Sequence, residues 1–451
     1  MDDSHLDLVF PAVAGKEVVA RFDGGDLTSD AGLLLVRQAD RKVGLSQALA
    51  NSILDRRQQA KVEHTMLQMV RERVYAIVCG YEDANDLDTL RYDPALRLSC
   101  ERGPTTDAPL ASQPTISRME NGLRRRDLLR MGMALAERVV AQLPADTRCV
   151  ILDVDATDDP CHGQQEWEFF NAYYDTHCYL PLHLYVTGPD KKQRLLASLL
   201  RAGNANYRWG LFGLLRRAVK LLRSRFPGVR IILRADAGFG YGDVIAFCEK
   251  HNLRYVLGLT SNKRLCVLST PVQMWAAIQH GKHGWHGWRG EEDRLFDEFG
   301  YKAGPWPHAR RVIVKVEVTQ HKLNPRYVVT DLRGTKEQVY TFYCARGDRE
   351  NRIKELKLDL DSGRTSCHRF VANQGRLLLH TAACVLVQTL QEAAHGTQWA
   401  SAQIGTLRLR LLKVAARVVE SCRRIWVHLP TAYPHRRVWE HLWRKLASAD
   451  P

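Results

Sequence analysis

From Arg148 to Leu259 seven short segments follow one another in the order β-β-β-α-β-α-β, which constrains the fold of this 451-residue chain more than any other feature. "RCVILDVDAT", "YLPLHLYVT" and "RLLASLLRA" are apolar runs of strand length. "LFGLLRRAVKLLRSRF" repeats its apolar residues at helical spacing, "VRIILRADAGFG" returns to a strand, "GDVIAFCEKHN" to a helix and "LRYVLGL" to a strand. A chain so ordered is predicted to build an α/β sheet. Two of its strands deliver an aspartate near their carboxyl ends, Asp155 and Asp236.

The flanks differ in texture. Residues 1–145 are predicted to be mostly helical, with "TSDAGLLLVRQADRKVGLSQALAN" opening on cap residues and "VEHTMLQMVRERVYAIVCGY" forming a second helix. A third region carries Arg124, Arg125 and Arg126 together, so the bundle reads either as a scaffold with an exposed basic face or as a DNA-binding module. Residues 264–342 read as irregular and then β-rich, with "RRVIVKVEVTQ" and "RYVVTDL" pairing around "HKLNP". Trp275, Trp285, Trp288 and Trp306 are expected to fill a small core there rather than stack on bases. A long apolar helix is expected from Arg369 to Gln391, and a basic helical tail over 401–451, with Arg408, Arg410, Arg423, Arg424, Arg436 and Arg437. The domain pattern is then 1–145, 146–263, 264–342, 343–400 and 401–451.

Charge narrows the partners. The formal net charge is +15, and Ser362–Pro451 holds 13 Lys/Arg against 4 Asp/Glu, which favours a polyanion such as nucleic acid. No segment reads as a signal peptide, a lipidation signal or a membrane-binding helix. The eleven cysteines are scattered without a C-x-x-C, which fits reduced thiols in a cytoplasm and argues against a disulfide framework or zinc fingers. His280, His283 and His286 stand three apart among glycine and tryptophan, a loop composition that disfavours a zinc site.

The stretch "YCARGDRENRIKELK", Tyr343–Lys357, mixes acids into a basic run. On a continuous helix at about 100° per residue, Tyr343, Arg346, Glu350 and Lys357 fall within about 60° of one another, and Glu355 points about 140° away from Glu350. One reading is an ion-paired, solvated helix. The other is a stripe of phosphate-binding groups around one carboxylate, which repels DNA unless it holds a metal cation. Asp155, Asp236 and Glu350, from two strand ends and a helix, form a set able to hold two Mg²⁺ ions through hard oxygen ligands.

These residues resemble a known family. Tyr343, Arg346, Glu350 and Lys357 match the Y-(2)-R-(3)-E-(6)-K signature of bacterial DDE transposases, and "LDVDATDDPCHGQQ" and "RADAGFGYGDV" resemble the blocks around their first and second catalytic aspartates. The resemblance, which covers roughly residues 20–400, is to the insertion sequence 1380 family. It implies an RNase H-like catalytic core with a β-rich insertion and helical terminal regions. It implies Asp155, Asp236 and Glu350 as catalytic metal ligands for two Mg²⁺ ions, with Mn²⁺ as a substitute, and Tyr343, Arg346 and Lys357 as DNA-binding residues. Asp155 is chosen because Asp155-Ala156-Thr157 matches the family's D-x-T; Asp153, on the same strand face, and the nearby Asp158 and Asp159 remain alternatives. The implied reaction is strand cleavage at terminal inverted repeats followed by strand transfer into target DNA, by a dimer or larger assembly in the bacterial cytoplasm at the nucleoid, with no nucleotide cofactor. An inactive, domesticated DNA-binding protein and an RNase H-like nuclease without strand joining are the competing readings.

Overall fold

Strands buried on both faces read as continuous apolar runs, whereas strands wet on one face alternate. The three runs containing "VILDV", "RIILRA" and "YVLGL" are of the first kind, and they lie side by side at the centre of an eight-stranded sheet. The structure, a computed structural model, describes residues 7–282, 294–319, 322–346 and 352–447. It divides into two compact units, Val139–Lys354 and Met1–Arg138 with Glu355–Pro451.

The first unit holds the sheet. Its strands are β1 (Cys149–Ala156), β2 (Leu182–Thr187), β3 (Gln193–Leu199), β4 (Arg230–Ala235), β5 (Arg254–Leu259), β6 (Arg294–Tyr301), β7 (Arg310–Thr319) and β8 (Lys322–Thr330), in the spatial order β6-β7-β8-β5-β4-β1-β2-β3. β4 runs parallel to β1 and β5, and every other pairing is antiparallel. Parallel neighbours need crossover connections. Helix α1 (Leu211–Arg225) leads from β3 to β4, and α2 (Gly242–Lys250) from β4 to β5. α1 buries Leu211, Leu215, Ala218, Val219 and Leu222, the one face that its helical period makes apolar. The β-β-β-α-β-α-β order expected from the sequence is thus present.

The segment after β5 differs from expectation at its start. Residues read as irregular form two helices, Lys263–Leu268 and Thr270–Lys282, the first capped by the side chain of Asn262. The hairpin is present, but β8 begins at Lys322 and takes Pro325 into the strand opposite Val316. Proline survives there because β5 pairs only with Tyr327–Thr330, so the amide side at Pro325 has no second neighbour to satisfy. The strands of this segment extend the central sheet beyond β5. Trp306 is buried and fills core as expected, while Trp275 is half-exposed. Helix α3 (Lys336–Cys344) follows, opened by a Thr335/Gln338 capping box. It packs Val339 and Tyr340 onto Val256, Ile313 and Val328 of the sheet.

The second unit is mainly helical, with corrections at both ends. Leu8–Val13 and Lys16–Ala20 form a hairpin before the first helix, and the tail is not wholly helical: Ala416–Glu420 pairs with Ile425–His428 and with Leu27–Thr28. β-branched Val418, Val419 and Val427 suit the pleat better than a helix. The helix Phe370–Ala393 is long and apolar enough to cross a membrane, yet nearly all of it is buried inside this unit. Beside it Glu120 is enclosed between Arg73 (3.0 Å) and Arg376 (2.7 Å).

Candidate active site

The register of β1 on β4 sets the geometry. Arg234 lies opposite Asp153 and Ala235 opposite Val154, so Asp155 and Asp236 stand at the carboxyl ends of two adjacent parallel strands. Asp153 and Asp155 share a face, as period two requires. Their surroundings separate them. Asp153 is fully buried and accepts a two-pronged contact from Arg234, Nε to Oδ1 at 2.6 Å and Nη2 to Oδ2 at 2.9 Å, while Gln193 Nε2 donates to Oδ2 at 3.2 Å. The third nitrogen of Arg234 donates to the Phe342 carbonyl at 2.6 Å, and its guanidinium lies 5.1 Å over the Phe342 ring. Arg234 therefore brackets β1, β4 and the end of α3.

Asp155 and Asp236 are arranged alike. Asp155 Oδ1 accepts the Ala156 N–H at 2.9 Å, and Asp236 Oδ1 accepts the Gly238 N–H at 2.9 Å. The other oxygen of each lies 3.7 Å from the same Arg346 Nη2. Two carboxylates thus converge on one cationic point, at ion-pair rather than hydrogen-bond distance. Burial opposes the charge on Arg346, but Asp155 and Asp236, together with Tyr343, outweigh it and hold its pKa above the ordinary value. Of the other aspartates, Asp158 lies close enough to Tyr174 to act on its ionisation, whereas Asp159 is buried in a small sheet opposite Tyr179.

Tyr343 and Arg346 meet here by a different route from the continuous helix the sequence suggested. α3 ends at Cys344, and Arg346 lies in the turn after it, its N–H bonded to the Tyr343 carbonyl at 3.1 Å. Residues 352–354 are helical, and Glu355–Asp359 is a wide π-turn. Glu355 is buried, and Lys357, half-buried, belongs to the mainly helical unit. Glu350, His283, His286, Trp285 and Trp288 lie outside the described residues, as does the side chain of His280. Gly258 admits the close approach of the strands' neighbours: a methyl there would lie 2.6 Å from the Ala237 nitrogen and 2.7 Å from the Tyr343 hydroxyl.

A cleft of about 760 Å³ opens beside the pair, walled by Tyr173, Tyr174, Tyr207, Tyr343 and Arg346, with Lys315 and Arg326 from the β7–β8 hairpin. Tyr174 is pushed up to about 12 by burial and by the nearby Asp158, Tyr173, Asp155 and Asp236, so it stays a neutral hydroxyl at physiological pH. Of these walls the sequence reading named Tyr343 and Arg346; it missed Tyr173, Tyr174, Tyr207, Lys315 and Arg326, and it missed Arg234. Tyrosines in a segment without strand or helix pattern give no signal. Arg234 did: an arginine inside an apolar strand needs a carboxylate, and Asp153 stands two residues before Asp155 as Arg234 stands two before Asp236. Among the described residues no third His, Cys, Asp or Glu joins the pair in a metal-sized group.

Comparison with known proteins adds three findings. The family model described as Transposase DDE domain group 1 matches residues 10–451. No curated protein sequence matches the chain. The cryo-EM structure of the piggyBac transposase synaptic complex with hairpin DNA aligns at 10% identity over 94% of this chain and 86% of that one, with a TM-score of 0.39.

Proposed function

Since the chain belongs to the transposase DDE domain group 1 family, we propose that this transposase cuts insertion-element ends and joins them to target DNA with Asp155, Asp236 and Glu350 as its metal-binding set. The observation that carries the reading is the convergence of Asp155 and Asp236 on one cationic nitrogen, 3.7 Å from each. Their donors are hard oxygens, as Mg²⁺ requires, and each carboxylate keeps one oxygen fixed by a backbone N–H, so the residues present fit a divalent cation. Bound there, two Mg²⁺ ions would stabilise the attacking and leaving oxygens of an in-line phosphodiester displacement.

The chain's own residues do the rest. Asp155 and Asp236, with Glu350, supply the negative ligand set. The Arg234 bracket holds the two strand ends level. Arg346 presents a planar fork suited to phosphate, and Tyr343 a hydroxyl beside it. Lys315 and Arg326 line the cleft where the DNA backbone enters, and the Y-R-E-K spacing supports Lys357 as a further phosphate contact. In the first step water attacks the end phosphodiester and the 3′-oxygen leaves as a hydroxyl. In the second that hydroxyl attacks a target phosphodiester, and a target 3′-oxygen leaves. One set of groups serves both because each is the same displacement.

The strand order supports an RNase H-like core: three antiparallel strands, β3-β2-β1, continue into the parallel β4 and β5, with β6–β8 inserted after them. The Y-R-E-K spacing supports the insertion sequence 1380 family. Residues 1–145 are assigned to end recognition, and a dimer or larger assembly to the pairing of two ends.

The test is incubation of the full chain with element-end duplex and a target plasmid in Mg²⁺. Asp155→Asn, Asp236→Asn and Glu350→Gln are expected to bind ends and make no nicks, and Glu355→Gln to cut and join. An active Glu350→Gln removes Glu350 from the set. Nicks without joined products leave a nuclease instead.

A further inference from the structure

The mainly helical unit carries a second concave site. A groove of about 690 Å³ opens between the helix Leu33–Val43, the loop 429–433 and the helix Arg436–Ala447. Three arginines, Arg37, Arg41 and Arg436, and three aromatics, Tyr433, Trp439 and Trp443, line it. Trp439 and Trp443 are one turn apart on one helix face, with Arg436 one turn before them. Trp443 is 52% exposed, a large flat ring left in water at the mouth of the groove. The Trp439 indole N–H is buried without a hydrogen-bond partner among the described residues, so the groove wall holds a donor in want of an acceptor. Arg436 pairs with Glu440 at 2.8 Å and Arg37 with Glu101 at 2.8 Å, both in exposed pairs that exchange at little cost for a phosphate. Residues 401–447 hold ten Lys/Arg against two Asp/Glu, so the surroundings are positive beyond the groove itself.

We propose that this groove binds an unpaired DNA strand, with bases stacked on Trp443 and Tyr433 and phosphates taken by Arg37, Arg41 and Arg436. Flat rings interleaved with guanidinium groups are what single strands bind, because every base offers a π-face and every nucleotide a charge. A duplex keeps those faces inside its own stack and shows only base edges. The volume lies within the range of sites that enclose a ligand. That the strand is DNA rests on the transposase reading; the preference for an unpaired strand rests on the groove alone.

The experiment is fluorescence anisotropy of the full chain with a labelled 15-nucleotide oligothymidylate, competed by an unlabelled duplex of equal length. Trp443→Ala is expected to weaken binding at least about fivefold. Trp443→Phe is expected to stay within about twofold of wild type, since a phenyl ring still stacks. Arg436 is exposed, so Arg436→Gln leaves folding alone and is expected to lower the slope of log affinity on log salt by about 0.7. Wild-type affinity in Trp443→Ala, an unchanged salt slope in Arg436→Gln, or equal competition by the duplex would each overturn the proposal. Nicking of element ends by the wild-type chain is scored in parallel. Nicking with a dispensable Trp443 sinks the groove and keeps the transposase reading; no nicking with a required Trp443 does the reverse.

Discussion

Replacing Arg234 with methionine removes the side chain that links β4 to Asp153 of β1 and to the Phe342 carbonyl of α3. In the wild type its side chain is 5% exposed, that of Asp153 is fully buried, and three short contacts run from one guanidinium. Methionine fills similar volume, so the loss is electrostatic: Asp153 keeps its burial and loses its fork. Breaking a buried pair from one side costs about 3–5 kcal/mol. For a unit of this size that is a fall of about 6–20 °C in Tm. Replacing both partners, in Asp153→Leu with Arg234→Met, leaves no stranded charge and is expected to restore most of the stability. It does not restore the donor to the Phe342 carbonyl, so Tyr343 and Arg346 lose their anchor in both variants. A displacement of about 1 Å at reacting groups costs on the order of 100-fold in rate. The assay pairs thermal melts with single-turnover nicking at saturating DNA. The expected pattern is an unstable, slow single variant and a stable, still slow double variant, both binding ends as wild type does. A single variant within about 1 kcal/mol of wild type, or a double variant that melts with the single one, would refute the bracket.

Other outcomes follow from the same contacts. Glu72 is fully buried and burial pushes its pKa up to about 8, against which the Ala111 N–H at 3.1 Å works only in part. Between its ordinary value near 4.5 and about 8 the folded chain holds a proton that the unfolded chain has released, so stability falls as pH rises through that window. Glu72→Gln is expected to abolish about 3–4 kcal/mol of that decline, read from urea midpoints at pH 5 and pH 8; equal declines in both proteins would refute it. Gly258→Ala places a methyl 2.9 Å from the Asp236 carbonyl carbon and 2.7 Å from the Tyr343 hydroxyl. It is expected to cost about 1–3 kcal/mol by overpacking and to slow nicking more than it weakens end binding. Glu120→Gln leaves Arg73 and Arg376 buried without their carboxylate and is expected to cost about 3–5 kcal/mol in the mainly helical unit, measured by denaturant unfolding.

The seven-segment order, the two aspartates at strand ends and the basic balance were all legible in the sequence of this chain, because each is a local property. Apolar period marks a strand or helix from its own residues, and charge needs only counting. What tertiary structure alone decided is which groups meet. Asp153 and Asp155 are indistinguishable by period, and only their neighbours in space tell them apart, Arg234 of the adjacent strand at one and Arg346 of the turn after α3 at the other. The helix drawn through Tyr343 and Lys357 ends at Cys344, and Tyr343 and Arg346 meet through a turn that no 3.6-residue pattern foretells. Pro325 sits in a strand because pairing with β5 stops before it, and the tail forms a hairpin because Leu27–Thr28 offers it an edge. Partners across strands are separated by tens of residues, so their choice depends on register and burial, which the chain acquires only on folding.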